Sequence, residues 1–215
     1  MKLMGKATVL LISALFSVSA IAVEGNASAG KDKSAPCAAC HGQDGNSGAP
    51  TFPKLAGQQA SYTVKQLEEF KSGVRDNAIM KGQVGGLSEQ DMADLAAFYE
   101  EQAVEVGKAD PEWVAAGERL YRGGNMKSGV AACSGCHGPA GQGVGGGFPA
   151  LGGQHAEYIE AQLKAFRAAG RGDIGAAKRT NDGDAETPGM MQTTAAKMSD
   201  TEIKAVASFI AGLGK

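Results

Sequence analysis

A single internal offset of 96 residues governs how this chain can fold: Cys37-Ala38-Ala39-Cys40-His41-Gly42 returns as Cys133-Ser134-Gly135-Cys136-His137-Gly138. The same offset maps Phe52-Pro53-Lys54-Leu55-Ala56-Gly57-Gln58 onto Phe148-Pro149-Ala150-Leu151-Gly152-Gly153-Gln154. Between residues 52–75 and 148–171, 11 of 24 positions are identical, including Tyr62/Tyr158, Gln66/Gln162, Leu67/Leu163, Phe70/Phe166 and Arg75/Arg171. A solenoid needs at least three stacked units to bury a continuous core. Two copies therefore mean two similar domains, expected at 23–106 and 111–215 with a short linker at 107–110.

Both copies end alike. Ser88-Glu89-Gln90-Asp91 opens a stretch with Met92, Leu95, Ala96 and Tyr99 at helical spacing; Ser199-Asp200-Thr201-Glu202 opens one with Ile203, Val206, Ala207 and Ile210. Each is a Ser-x-x-acid box, in which the serine oxygen takes an orphan amide and the acid favours the positive helix end. Tyr, Leu and Phe spacing predicts earlier helices over about 59–72 and 155–169. Pro111 marks the start of another over about 111–122. No stretch alternates with period two, so the expected class is all-α, two tandem helical domains joined by glycine-rich loops.

The first 22 residues read as a secretory leader. Lys2 and Lys6 precede an apolar run from Ala7 to Ile21, and Ala20-Ile21-Ala22 supplies the small residues of a cleavage site. That run of 15 residues is short of the roughly 18–20 needed to span hydrocarbon. Cleavage after Ala22 leaves an exported chain, in a Gram-negative cell a periplasmic one. The full chain has a formal charge of −2 and no basic block, which argues against nucleic-acid binding. Residues 23–110 carry 8 basic and 13 acidic side chains, whereas 111–215 carry 11 and 10. That division gives a charge dipole able to steer a docking partner, a solvated surface without a partner role being the other reading.

The chain has four cysteines and three histidines, few enough to account for one by one. Two thiols separated by two residues can add across the two vinyl groups of one haem, and a histidine directly after the second is then held beneath the iron. Cys-x-x-Cys-His is the sequence form of that geometry. A structural zinc site needs four convergent ligands, and each half offers three within five residues. A thioredoxin-like motif belongs in a βαβ setting, and simple disulfides leave the two histidines without a role. The cofactors expected are two covalent haem c groups, attached at Cys37, Cys40, Cys133 and Cys136.

His41 and His137 are the proximal iron ligands on this reading, and only His155 remains as a further histidine. It aligns with Gln59 and reads as a surface polar residue. Methionine sulfur is the usual alternative sixth ligand. Met92 and Met198 fall in apolar helical stripes, and Met126 lies too close before Cys133. Met80 stands in the loop seven residues before Leu87, and seven before the equivalent Met198 stands Met191, with Met190 as its competitor. The second copy carries a 15-residue insertion between these landmarks, within about 172–189. Proximal histidines generally donate Nδ1–H to an outer acceptor. Pro53 and Pro149 stand where they could offer backbone carbonyls, a turn-forming role being the other reading.

With these features assembled, the chain resembles the di-haem cytochrome c4 family over essentially all of its mature length. The resemblance rests on Cys37-Ala-Ala-Cys-His-Gly-Gln-Asp-Gly-Asn-Ser47, Phe52-Pro-Lys-Leu-Ala-Gly-Gln58, Gly152-Gly-Gln-His155 and Thr180-Asn-Asp-Gly-Asp184. It implies two cytochrome c-type domains related by pseudo-twofold symmetry, each wrapped around one haem, with haem edges and propionates near their interface. It implies a monomeric periplasmic carrier, soluble or loosely membrane-associated, passing electrons from a donor such as the bc1 complex to a respiratory terminal oxidase. It also implies that Tyr62, Gln66 and Arg75, with Tyr158, Gln162 and Arg171, contact haem edges or propionates. Two other roles share the pattern: the di-haem subunit of a flavocytochrome-type sulfide dehydrogenase, and a di-haem peroxidase.

Overall fold

The computed structural model describes residues 23–145, 147–183 and 187–214. The leader expected at 1–22 and Asp184 lie outside them. The helices are α1 (Ala27–Lys33), α2 (Ala35–His41), α3 (Ala60–Ser72), α4 (Ala78–Val84), α5 (Glu89–Glu100), α6 (Val114–Gly123), α7 (Ser134–His137), α8 (Ala156–Arg171), α9 (Met190–Ala195) and α10 (Asp200–Ala211). Among the described residues the only β feature is an isolated bridge between Asn125 and Val130. None of the described helices is long and apolar enough to cross a membrane.

The main helix contacts fall into two groups, α1 and α3 on α5 with α4 on α3, and α6 and α8 on α10 with α9 on α8. Both serine boxes form as full capping boxes, Ser88 with Asp91 and Ser199 with Glu202, and they start the most buried helix of each group. The first and last helices of each group cross at a glycine. A Cβ on Gly30 would fall 2.0 Å from the Asp94 carbonyl oxygen, and one on Gly117 would fall 2.1 Å from that of Ala205. Only hydrogen fits between backbones this close.

The two cores differ in size. Leu95, Phe98 and Tyr99 form the first, with Cys37, Leu55 and Leu87 packed against it. The second gathers Leu120, Tyr121, Ile159, Phe166, Met198, Ile203 and further residues, with Cys133, Leu163 and Met191 against it. In both, the first cysteine of the motif forms part of the core wall.

Two expectations need correcting. Met80 and the Met190–Met191 pair lie not in loops but in the first turns of the short helices α4 and α9. At seven and six residues, these helices are too short for periodicity to register, and their stability comes from capping and packing. His155 is not a surface residue. It is half-buried at the N-cap of α8, with Nε2 2.9 Å from both Oγ and the carbonyl oxygen of Ser47 in the other group.

Candidate metal centres

Pro36 in the first turn of α2 starts the helix that carries the first motif, and Gly42 and Gly138 end the two motif helices in conformations closed to most other residues. None of the four cysteines is paired in a disulfide; three are half-buried and Cys136 is exposed. Burial pushes the Cys37 thiol up and the Cys133 thiol up to about 11. Among the described residues, no three His, Cys, Asp or Glu side chains converge as the ligands of a bare ion would.

Each histidine is buried and held in the same way. His41 Nδ1 lies 2.8 Å from the Pro53 carbonyl and His137 Nδ1 2.9 Å from that of Pro149. A carbonyl only accepts, so Nδ1 carries the proton and Nε2 presents its lone pair. Burial holds both rings below the usual histidine range, against the opposing pull of the proline carbonyl. Both imidazoles are therefore neutral near neutral pH, the form that ligates metal. Phe52 and Phe148 meet the two rings edge-on, at 6.2 and 6.5 Å between centroids.

The methionines are held in parallel fashion. Asn77 Oδ1 accepts from Met80 N at 3.0 Å, capping α4. Asp182 Oδ2 accepts from Met191 N at 2.6 Å and from Gln192 N at 3.2 Å, a cap on α9 supplied by the inserted loop. Met191 packs against the second core, whereas its neighbour Met190 is 64% exposed. Met126 is 97% exposed, and Met92 and Met198 are core residues, each 2% exposed.

Between the two groups lies a polar seam. Arg75 donates to Gln66 Oε1 at 2.6 Å and, across the seam, to Tyr158 Oη at 2.9 Å and Gln162 Oε1 at 3.0 Å. Arg179 donates to Gln162 Oε1 at 3.0 Å and, in the reverse direction, to Tyr62 Oη at 2.8 Å and Gln66 Oε1 at 3.1 Å. The guanidiniums stack at 4.5 Å on the equivalent rings Phe70 and Phe166. Arg179, not Arg171, is thus the counterpart of Arg75. Arg171 donates instead to the Ala196 and Met198 carbonyls at 2.7 and 3.1 Å. The linear repeat misassigned this arginine because part of the insertion precedes Arg179. The pattern that could have found it is the residue returning to the Phe166 ring, which sequence spacing does not encode.

These surroundings fit haem. In each group two thiols stand three positions apart beside an apolar core, next to a neutral imidazole fixed at Nδ1. At the seam, all the hydrogen-bond acceptors that Arg75 and Arg179 find among the described residues are neutral oxygens. Two guanidiniums without a contacting carboxylate are costly at a buried seam, and they suit the carboxylates that a porphyrin carries.

The cytochrome c family model matches residues 27–101 and again 114–214. A cytochrome c4 of Pseudomonas aeruginosa is 47% identical over 211 residues, covering 98% of this chain and all of that protein. The solved structure of reduced recombinant cytochrome c4 from Pseudomonas stutzeri superposes with a TM-score of 0.80 at 46% identity, covering 88% of this chain and 99% of that one. The chain belongs to the cytochrome c4 family. A thiosulfate dehydrogenase electron acceptor of Stutzerimonas stutzeri is 39% identical over 184 residues, covering 83% of this chain and 79% of that one. Cytochrome c4 membership makes this protein a di-haem electron carrier rather than an enzyme, with two cytochrome c domains and two covalent haem c groups.

Proposed function

We propose that the protein carries single electrons in the periplasm, from a donor such as the bc1 complex to a respiratory terminal oxidase, through two six-coordinate haems. Cys37 and Cys40 attach the first, with His41 and Met80 as iron ligands. Cys133 and Cys136 attach the second, with His137 and Met191. The observation that carries this assignment is the identical clamp on both histidines, Nδ1 on a proline carbonyl at 2.8 and 2.9 Å. It fixes the tautomer and ring plane before any iron arrives and raises ligand basicity.

When bound, each haem supplies a one-electron couple between Fe(III) and Fe(II). The protein's part is to hold its ligands still while the charge changes. His41 and His137 are clamped through Nδ1, and Met80 and Met191 through backbone amides pinned by Asn77 and Asp182. With His41 and Met80, or His137 and Met191, as its ligands, each group would favour Fe(II), and the chain's own side chains would leave no ligand position for a substrate. Arg75 and Arg179 would neutralise propionates at the seam. Each then spans both domains, so that the two centres share one polar seam and electrons pass within the molecule.

Support for Met191 over Met190 comes from its packing against the second core and from the cap on its amide, which parallels that on Met80. The mass of the mature protein, with oxidised and reduced optical spectra, tests the whole assignment. Two covalent haems, both low-spin in both states and inert to peroxide, are expected; fewer than two haems would overturn it. The likeness to a thiosulfate dehydrogenase electron acceptor favours a second reading, in which the donor is a sulfur-oxidising dehydrogenase. Reduction assays with the purified bc1 complex and with such a dehydrogenase separate the two.

A further inference from the structure

Each domain brings one tyrosine ring to its motif, but the two rings come from opposite helices and their hydroxyls end differently. Tyr99, from α5, stacks on Phe98 at 5.0 Å between centroids and packs against Cys37. Tyr121, from α6, stacks on Phe209 at 5.5 Å and lies near Cys133. Phe98 and Phe209 are equivalent, because the Gly30 and Gly117 crossings meet them at the same point. The tyrosines are not. Counted from those phenylalanines, Tyr99 corresponds to Ile210; counted from those glycines, Tyr121 corresponds to Ser34. One domain pairs Ser34 with Tyr99 where the other pairs Tyr121 with Ile210.

Tyr121 Oη donates to the Gly138 carbonyl at 2.7 Å, so its proton is committed to the backbone. Tyr99 is 2% exposed and its hydroxyl has no hydrogen-bond partner among the described residues. Native interiors rarely leave such a group unpaired. The polar atom beside it is the Cys37 sulfur, carried by a residue packed against the same core cluster and interacting with the tyrosine hydroxyl. A free thiol competes through its own proton. A thioether has only lone pairs, so attachment at Cys37 leaves Tyr99 as the single donor in this contact.

We propose that Tyr99 is a tuning residue for the first haem alone, its hydroxyl donating to the Cys37 thioether sulfur. A donor at that sulfur withdraws electron density from the porphyrin edge and favours Fe(II), since hydrogen bonding around the cofactor is one of the protein's levers on potential. The second haem has no counterpart, because Tyr121 is engaged and Ile210 has no donor. The proposal rests on the assignment of Cys37 as an attachment residue.

The test is Tyr99→Phe in the two-haem protein, which deletes one oxygen and keeps the ring. Midpoint potentials of both haems are read by spectroelectrochemical titration, and the C–S stretches by resonance Raman. One potential is expected to fall and one C–S band to shift while the other haem is unchanged. Tyr121→Phe is expected to lower stability and move neither potential. Unchanged potentials, or an equal shift in both, in a Tyr99→Phe protein retaining two haems would overturn the tuning role. Should that variant lose a haem, the exchange Tyr121→Ser with Ile210→Tyr builds the first domain's arrangement in the second. It must then raise the second haem's potential, and failure to do so overturns the proposal. A parent protein with fewer than two haems would instead overturn the attachment assignment beneath it.

Discussion

Neighbouring methionines with different surroundings show how position separates chemically identical residues. Met190 and Met191 are chemically identical, but one faces solvent and the other packs against the second core with its amide on Asp182. Met191→Ala should therefore abolish the methionine–iron charge-transfer band of one haem and leave the other intact, whereas Met190→Ala should change neither. If only Met190→Ala removes the band, the ligand assignment is wrong. Tyr121→Phe, the control above, removes the hydroxyl donor to the buried Gly138 carbonyl, which keeps the Gly141 amide at 3.1 Å. It should cost about 1 kcal/mol in chemical denaturation, the usual net contribution of one hydrogen bond. The four cysteines and the two motif histidines are legible from spacing alone, since attachment chemistry dictates that spacing. His155 was not legible, because its partner Ser47 lies 108 residues away.

Among the helices, the crossings of α1 on α5 and of α6 on α10 bear most on stability. Gly30→Ala puts a carbon where the Asp94 carbonyl oxygen sits, and overpacking of this kind costs about 3 kcal/mol. Thermal unfolding of the holoprotein should show the loss, with little effect from Ala at Gly82, where nothing lies within 4 Å. The same crossing carries a pH dependence. Lys33 pairs with Asp94 at 2.6 Å, and with the Asn26 amide and Gln90 it holds the Asp94 carboxyl down to about 2, from an ordinary value of 3.8. A depressed carboxylate contributes stability above its unfolded value and loses it as pH falls through the folded one. Protection of the α1 amides, relative to their intrinsic exchange at each pH, should therefore fall between about pH 4 and pH 2, and Lys33→Met should flatten that fall. Both serine-box helices were predictable because capping chemistry is local. The helices α4 and α9 were not, because Asn77 and Asp182 cap them with no extended apolar pattern to announce them.

The whole molecule is held by a reciprocal interface. Gln58 bonds the amide and carbonyl of Ala150 at 2.9 and 3.0 Å, and Gln154 bonds those of Lys54 at 2.9 Å each. Gln58 and Gln154 are repeat equivalents, as are Lys54 and Ala150, so each domain offers the other the same contact. This is the self-complementarity of a twofold dimer within one chain. Gln154→Ala should cost about 2 kcal/mol by stranding both backbone groups of Lys54. Exchange at residues 52–56 and 148–152 should then increase while each haem's axial ligation stays unchanged, separating a loosened interface from a damaged site.

What the sequence determined by itself was everything written within a few residues or in the repeat: the two Cys-x-x-Cys-His motifs, the all-α class, two copies and the boxed helices. Local chemistry and local spacing are enough for each of these. Only the tertiary structure decided which arginine answers Arg75, which methionine of the adjacent pair turns inward, and where His155 lies. It also showed that the two tyrosines beside the motifs end in different hydrogen-bonding states. Those outcomes depend on groups from 9 to more than 100 residues apart meeting in one place, and burial with hydrogen-bond satisfaction, not spacing, selects among them.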